Sequence, residues 1–391
     1  MSPRDVVITG IGLVSRLGEG AEAHWQAFSA PTVPPTTDMT RFPPYTIHAL
    51  PEIDWGLQIP KRSDQRQMET WQRLGVYAAG LALDDSGIKG DDALCATMDM
   101  VVAAGGGERD EVVDANILEA SVSHNDTDVL LNEKLTNDLR PTLFLAQLSN
   151  LMAGNISIVH KVTGSSRTFM GEEAAGISAI ETAVARLSSG ASSHVLVGGA
   201  FQTEHPDMLL SYELGGHLHR GPWQPLWQRP PGSGGVITGS GAAFLVLETR
   251  EHAEARGRKA YASIAKVASG RTNRTKGDLA AGIGGLLKAL DATERDLLTI
   301  SGASGAPEAT AAERAALDGK AARGISALIG HIKEAEFPFA IAIAALSIFH
   351  GKAPPPLDKA AERPFDGIPD IALATTVGYY RDEGAALLRK V

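Results

Sequence analysis

Four short apolar runs bordered by glycine set the strongest constraint on this chain. Val6-Val7-Ile8-Thr9 stops at Gly10, Met100–Ala104 at Gly105-Gly106-Gly107, and Ser193–Val197 at Gly198-Gly199. The fourth, Gly241–Glu248, leads into a charged helical stretch from Arg250 to Arg258. Runs of this kind predict strands buried on both faces. The segments between them carry helical spacing. Gln67–Leu83 places Trp71, Leu74, Ala78, Leu81 and Ala82 on one side, with a stop at Asp84–Gly87. Ala174–Leu187 and Ala340–Phe349 are alanine-rich and nearly free of charge, as helices enclosed on most sides are. Strands alternating with such helices predict a parallel or mixed sheet covered on both faces. A change near Thr249 divides a longer part, residues 1–249, from a shorter one, 250–391. Gly215–Gly241, with Trp223, Trp227 and Pro230-Pro231, reads as a structured loop.

Composition removes several functions. With 36 Lys+Arg against 46 Asp+Glu the net charge is -10, which disfavours a general nucleic-acid binder. The single cysteine, Cys95, allows no internal disulfide framework and no multi-cysteine metal centre, and fits a reducing compartment. No run of about 18 apolar residues is present to span a bilayer, and no signal-peptide pattern opens the chain, so a cytoplasmic protein is expected.

The local motifs are weak by themselves. Gly10-Ile11-Gly12-Leu13-Val14-Ser15 falls short of the dinucleotide fingerprint, with serine in place of the third glycine, and a plain strand-to-loop turn is expected instead. Gly302-Ala303-Ser304-Gly305-Ala306 lacks the last glycine of a nucleophile elbow, and Ser304 has only His331 and His350 downstream as a base. His217 and His219, near Glu204 and His205, point to opposite sides of an extended segment and are expected to be solvated rather than metal ligands. Cys95 is expected to pack. No cofactor and no metal are expected.

Taken in order, longer stretches resemble the β-ketoacyl-acyl-carrier-protein synthases of the type II elongation kind. They are Val6–Ser15, Leu131–Gly164, Gly239–Ile264, Ile325–Ile332 and Thr375–Val391. The resemblance implies a thiolase-like α/β fold, a duplicated α-β-α-β-α sandwich of two βαβαβαββ halves with an extended loop over Gly215–Gly235. It also implies a dimer formed edge-on through the sheet. Active members carry a cysteine at a strand-to-helix turn, two histidines and a lysine. Here Gly164–Glu172 matches the approach to that turn without a gap, and Glu173 falls on the cysteine. Ser304-Gly305-Ala306 stands where the family has His-Gly-Thr, Ser326 where it has lysine, and only His331 is kept. Phe169, Met170, Tyr379 and Tyr380 fall at the acyl tunnel and its gate, where strand-end packing is an equal reading for the two tyrosines.

A carboxylate cannot store an acyl chain as a thioester. The resemblance therefore implies a chain-length-factor-like subunit without the nucleophile cysteine, inactive alone, that pairs with an active β-ketoacyl synthase in fatty-acid, very-long-chain acyl or polyketide elongation. Acyl carrier protein would dock mainly on that partner, and pairing of the chain with itself stays open. The other reading is a malonyl-carrier decarboxylase for priming. Glu173 counts against it, because its charge would face the malonate carboxylate.

Overall fold

The computed structural model describes residues 4–107, 109–141, 143–230, 232, 234–293 and 296–391. Pro231 and Ser233 of the extended loop, Thr142 of the Leu131–Gly164 stretch and residues 1–3 of the first part lie outside them. Among the described residues eleven strands make the main sheet, the short Gly18–Glu19 pairing with Val14–Ser15 and ten others forming one continuous order. The first five of the ten are β1 (Val6–Ser15), β2 (Asp99–Ala104), β3 (Ser166–Phe169), β4 (His194–Phe201) and β5 (Gly241–Thr249). The second five are β6 (Ala262–Gly270), β7 (Leu298–Ala303), β8 (Ala321–Gly324), β9 (Ile371–Val377) and β10 (Glu383–Arg389).

The spatial order is β3-β2-β4-β5-β1-β6-β10-β9-β7-β8. In the first half β2 lies parallel to β3 and β4, while β5 runs antiparallel to β4 and β1. In the second half β7 lies parallel to β8 and β9, while β10 runs antiparallel to β9 and β6. Each half thus repeats one order and one pattern of directions. They join where Val6–Ile8 pairs antiparallel with Ala262–Ile264.

The main helices are α1 (Thr70–Ser86), α2 (Asn150–His160), α3 (Glu173–Ser189), α4 (Leu279–Ala289), α5 (Pro307–Ala316) and α6 (Glu336–His350). α1 and α2 cover one half-sheet, α4 and α5 the other, and α3 packs against α6 between them. This is the expected five-layer, thiolase-like arrangement. The central layer explains the alanine-rich segments: from Glu336 to Ile348 every residue of α6 is buried. Strand periodicity explains the unbroken apolar runs. Met100, Val102 and Ala104 enter the core under α1, whereas Val101 and Ala103 enter the one around α3 and α6.

Two expected strand ends are corrected. β1 continues through Gly10 and Gly12 to Ser15, and β4 through Gly198 and Gly199 to Phe201. These glycines admit close packing rather than turns. A Cβ on Gly10 would stand 2.3 Å from Ala82 O, and one on Gly12 2.0 Å from Ala78 O, both in α1. The charged helix after β5 is also shorter than expected, Arg250–Ala255.

The two outer strands are finished differently. β8 is buried, its Gly324 N–H donates to Glu362 Oε1 at 3.0 Å, and Leu226 and Trp227 of the long loop lie against Gly324. β3 pairs only with β2 among the described residues, and Ser166 and Arg167 are exposed.

Candidate functional site

α3 begins where β3 ends, after a turn whose Gly171 and Glu172 have φ of 133° and 60°. The first residue of the helix is Glu173, with its side chain 1 % exposed. A 17-residue helix directs partial positive charge at that point, so an acid is well placed there. Opposite it stands His331, fully buried. Its main chain is fixed by pairing with the segment before β5: His331 N–H donates to Ile237 O at 2.8 Å, and Gly239 N–H to His331 O at 3.0 Å. Gly330 precedes it at φ 75°, with Thr238 and Gly239 backbone atoms 2.6 Å from where a Cβ would lie.

His331 Nε2 lies 2.8 Å from Glu173 Oε1, and Nδ1 lies 3.4 Å from Glu336 Oε2. Neither ring nitrogen meets hydrogen-bond geometry, so both contacts are ion pairs rather than aligned hydrogen bonds. Glu336 is oriented from the other side, accepting Ile332 N–H at 2.8 Å. Burial would push the imidazole down, but the charge of Glu173 and the contacts from both carboxylates outweigh it and raise His331 to about 10. Burial opposes ionisation of Glu173 as well, and the imidazolium still holds it below the usual carboxylate range. Burial holds Glu336 above that range, and Glu334 likewise. The centre is a closed carboxylate–imidazolium pair. A histidine held protonated in this way has no lone pair with which to act as a base.

A second shell closes over the pair. Tyr379 N–H donates to Glu173 Oε1 at 3.4 Å, and the Tyr379 hydroxyl donates to Glu172 Oε1 at 2.7 Å. Its ring lies 5.0 Å from those of Tyr212 and His217. Lys333 Nζ stands over the rings of Phe201 and Tyr212 and 3.7 Å from Glu172 Oε1. Lys333 (φ 43°), Glu172 and Asp382 (φ 61°) are three of the five non-glycine residues with left-handed backbone among those described. Strain concentrated at one place is common at functional sites.

The remaining expected residues divide. Ser304 is buried just past β7, where its Oγ accepts Ala306 N–H at 3.2 Å and no histidine adjoins it. Ser326 is buried, its hydroxyl donating to Ala303 O. Phe169 packs on the central core, whereas Met170 and Tyr380 are exposed. Of the four residues expected at a tunnel, Tyr379 is the one with a hydrogen bond to Glu173 among the described residues. Cys95 is buried in the helix Asp92–Thr97, where burial raises its thiol. The expectation that His217 and His219 are solvated is corrected. His219 is buried with Nε2 2.9 Å from Pro222 O, and His217 stands edge-on to Tyr379. The loop encloses His219 and leaves His217 half-buried.

Sequence reasoning passed over Glu172, Lys333, Glu334 and Glu336. The signal was Lys333-Glu334-Ala335-Glu336, a charged start to a helix otherwise apolar. It also passed over Glu313, fully buried in α5. Ser301 and Thr375 both donate to its Oε1, and Oε2 has no partner. Burial raises its carboxyl to about 7. The unfolded chain releases this proton near 4.5 and the folded one near 7, so stability falls as pH rises between these values. Glu313→Gln is expected to match the parent near pH 4 and to exceed it by at most about 3 kcal/mol above pH 7. Urea unfolding at both pH values measures this, and a gain independent of pH would contradict it.

With this geometry in hand, relatedness can be stated. Residues 3–253 match the β-ketoacyl synthase N-terminal domain. The chain belongs to the β-ketoacyl synthase family. Over 271 residues it is 28 % identical to 3-oxoacyl-[acyl-carrier-protein] synthase 2 of Vibrio harveyi, covering 68 % of this chain and 62 % of that one. It is also 28 % identical, over 275 residues, to the actinorhodin polyketide putative β-ketoacyl synthase 2 of Streptomyces coelicolor, covering 68 % and 63 %. The match thus spans somewhat less than two thirds of these relatives' length. Among solved structures, the ishigamide ketosynthase/chain length factor superposes with a TM-score of 0.78 at 22 % identity, covering 100 % of both chains. A type II polyketide ketosynthase in complex with its acyl-carrier protein gives a TM-score of 0.74 at 16 % identity, covering 99 % of each. At these identities the superpositions establish the fold.

Proposed function

We propose that this condensing-enzyme homologue is a chain-length-factor-like subunit. It does not catalyse condensation alone, and it pairs with a cysteine-bearing β-ketoacyl synthase in the elongation of acyl or polyketide chains. The observation that carries this reading is the Glu173–His331 pair. At the helix start where a condensing enzyme needs a thiolate, the group present is a carboxylate already neutralised by a buried imidazolium. It offers neither a sulfur for thioester formation nor a base, and Tyr379 and Glu172 close over it. Ser304 and Ser326, at the positions of the other histidine and the lysine, are engaged with main chain, Ser304 accepting Ala306 N–H and Ser326 donating to Ala303 O.

The surface supports the partner. Among the described residues Val112, Leu118, Val122, Phe144, Leu145, Ile158 and Met170 are exposed, all within 112–170; Ile158 lies in α2, which packs beside β3, and Met170 follows β3 directly. An unpaired edge beside exposed apolar side chains is a pairing surface. The name of the ishigamide ketosynthase/chain length factor agrees with this role. In this reading residues 1–249 provide the pairing face, residues 250–391 close the site from the other side, and carrier protein docks mainly on the partner in the cytoplasm. No described helix is long and apolar enough to cross a membrane.

Decarboxylation is the weaker reading. The carboxyl of Glu173 is held ionised by its imidazolium partner, so it has no proton to donate to malonyl-carrier.

The test is reconstitution. Purified alone, the chain is expected to take up no acyl group from acyl-carrier protein. Mixed with a cysteine-bearing β-ketoacyl synthase from the same organism, it is expected to elute as a heterodimer and to confer elongation that neither subunit shows alone. A product that stays monomeric and leaves elongation unchanged would remove the reading.

A further inference from the structure

The geometry points to a divalent-metal site, outside the centre just described, made by Glu111, His205 and Asp207. One ligand atom from each residue lies within 4.8 Å of the other two. His205 Nδ1 is 2.5 Å from Asp207 Oδ1 and 3.0 Å from Glu111 Oε1, so two carboxylates converge on a single ring nitrogen. A neutral imidazole presents either one proton or one lone pair there, and neither serves two anionic oxygens well. A cation at the centre serves all three. Zinc bound at about 2.0–2.2 Å by nitrogen and oxygen donors sets neighbouring ligands roughly 3.3 Å apart, a small opening from the distances present.

The supports of the three side chains come from two separate segments. Asp207 Oδ2 accepts the Arg109 N–H at 3.1 Å, which turns Oδ1 toward His205. The Arg109 guanidinium is engaged at 2.5 and 2.8 Å by Asp114, and its charge reaches Asp207 only as a lesser influence. Asp110 caps the helix Glu111–Ser121 and fixes the direction of Glu111, while His205 and Asp207 stand at the start of the helix Pro206–Leu214. Oriented carboxylates around a histidine suit a borderline divalent ion with a remaining position for water. Glu111, 42 % exposed, leaves a path for entry. Bound metal would tie the helix that bears Val112 and Leu118 to the loop beyond β4.

Calorimetric titration of the full chain with zinc chloride, after removal of metal by chelator, tests this. One equivalent is expected to bind. Glu111→Gln, His205→Ala and Asp207→Asn are each expected to weaken binding at least about tenfold, while His217→Ala leaves it unchanged. Circular dichroism establishes that each variant is folded, and Glu111→Gln, at the most exposed position, keeps the test available if the others fail to fold. Absence of saturable binding by the parent would overturn the site. Binding that persists in all three folded variants would overturn it equally.

Discussion

Glu173→Ala is expected to destabilise the protein by about 3–5 kcal/mol at pH 6, the cost of leaving one member of a buried ion pair without the other. The pH dependence separates this from simple loss of packing. His331 titrates near 6.5 unfolded and near 10 folded, so its contribution is complete below 6.5 and is lost as pH rises toward 10. The carboxylate of Glu173 is depressed, so its contribution is present above about 4.5 and is lost as pH falls through the lower folded value. The difference between parent and variant should therefore be largest between pH 4.5 and 6.5 and shrink steadily on the alkaline side. Chemical denaturation from pH 5 to 9 measures it, and a difference that stays flat would mean that the pair is not ionised. Adding His331→Leu to Glu173→Ala should recover part of the loss, because an apolar side chain needs no counter-ion.

The second large effect concerns assembly. Leu118→Asp and Val122→Asp are expected each to weaken association with the active synthase by about tenfold or more, and together to abolish it at micromolar concentration. Both side chains are exposed, so the stability of the isolated subunit should change by no more than about 0.5 kcal/mol. Elongation by the mixture should fall in parallel with the heterodimer fraction seen by size-exclusion chromatography. Unaltered association of the double variant would place the interface elsewhere.

Much of the architecture was legible because enclosure leaves a plain trace. A strand covered on both faces has no polar alternation, and a helix inside the central layer has few charges, so Met100–Ala104 and Ala340–Phe349 betray their surroundings. The glycines were harder. Gly10, Gly12, Gly198 and Gly199 read locally as turns, but their role is to let backbones approach, which depends on residues far away in sequence. The ends of the short helices shifted for a related reason, since packing rather than propensity decides where they stop. At the site, Glu173 and His331 could be singled out by position, yet the charge between them could not. Glu336 and Tyr379 arrive from other elements, and the burial that makes these charges consequential is a property of the folded layers. The same applies to Glu313, whose neighbours Ser301 and Thr375 come from two different strands.

The unequal finish of the two outer strands limits how large an assembly can become. A sheet with both ends free would recruit one copy after another and grow into a filament. Here Glu362, Leu226 and Trp227 cap one end, while β3 leaves the other open. If the proposed pairing uses the edge of β3, growth through the sheet would halt once a single neighbour has been added, and a stoichiometry of two would follow from the margins of the sheet rather than from its centre.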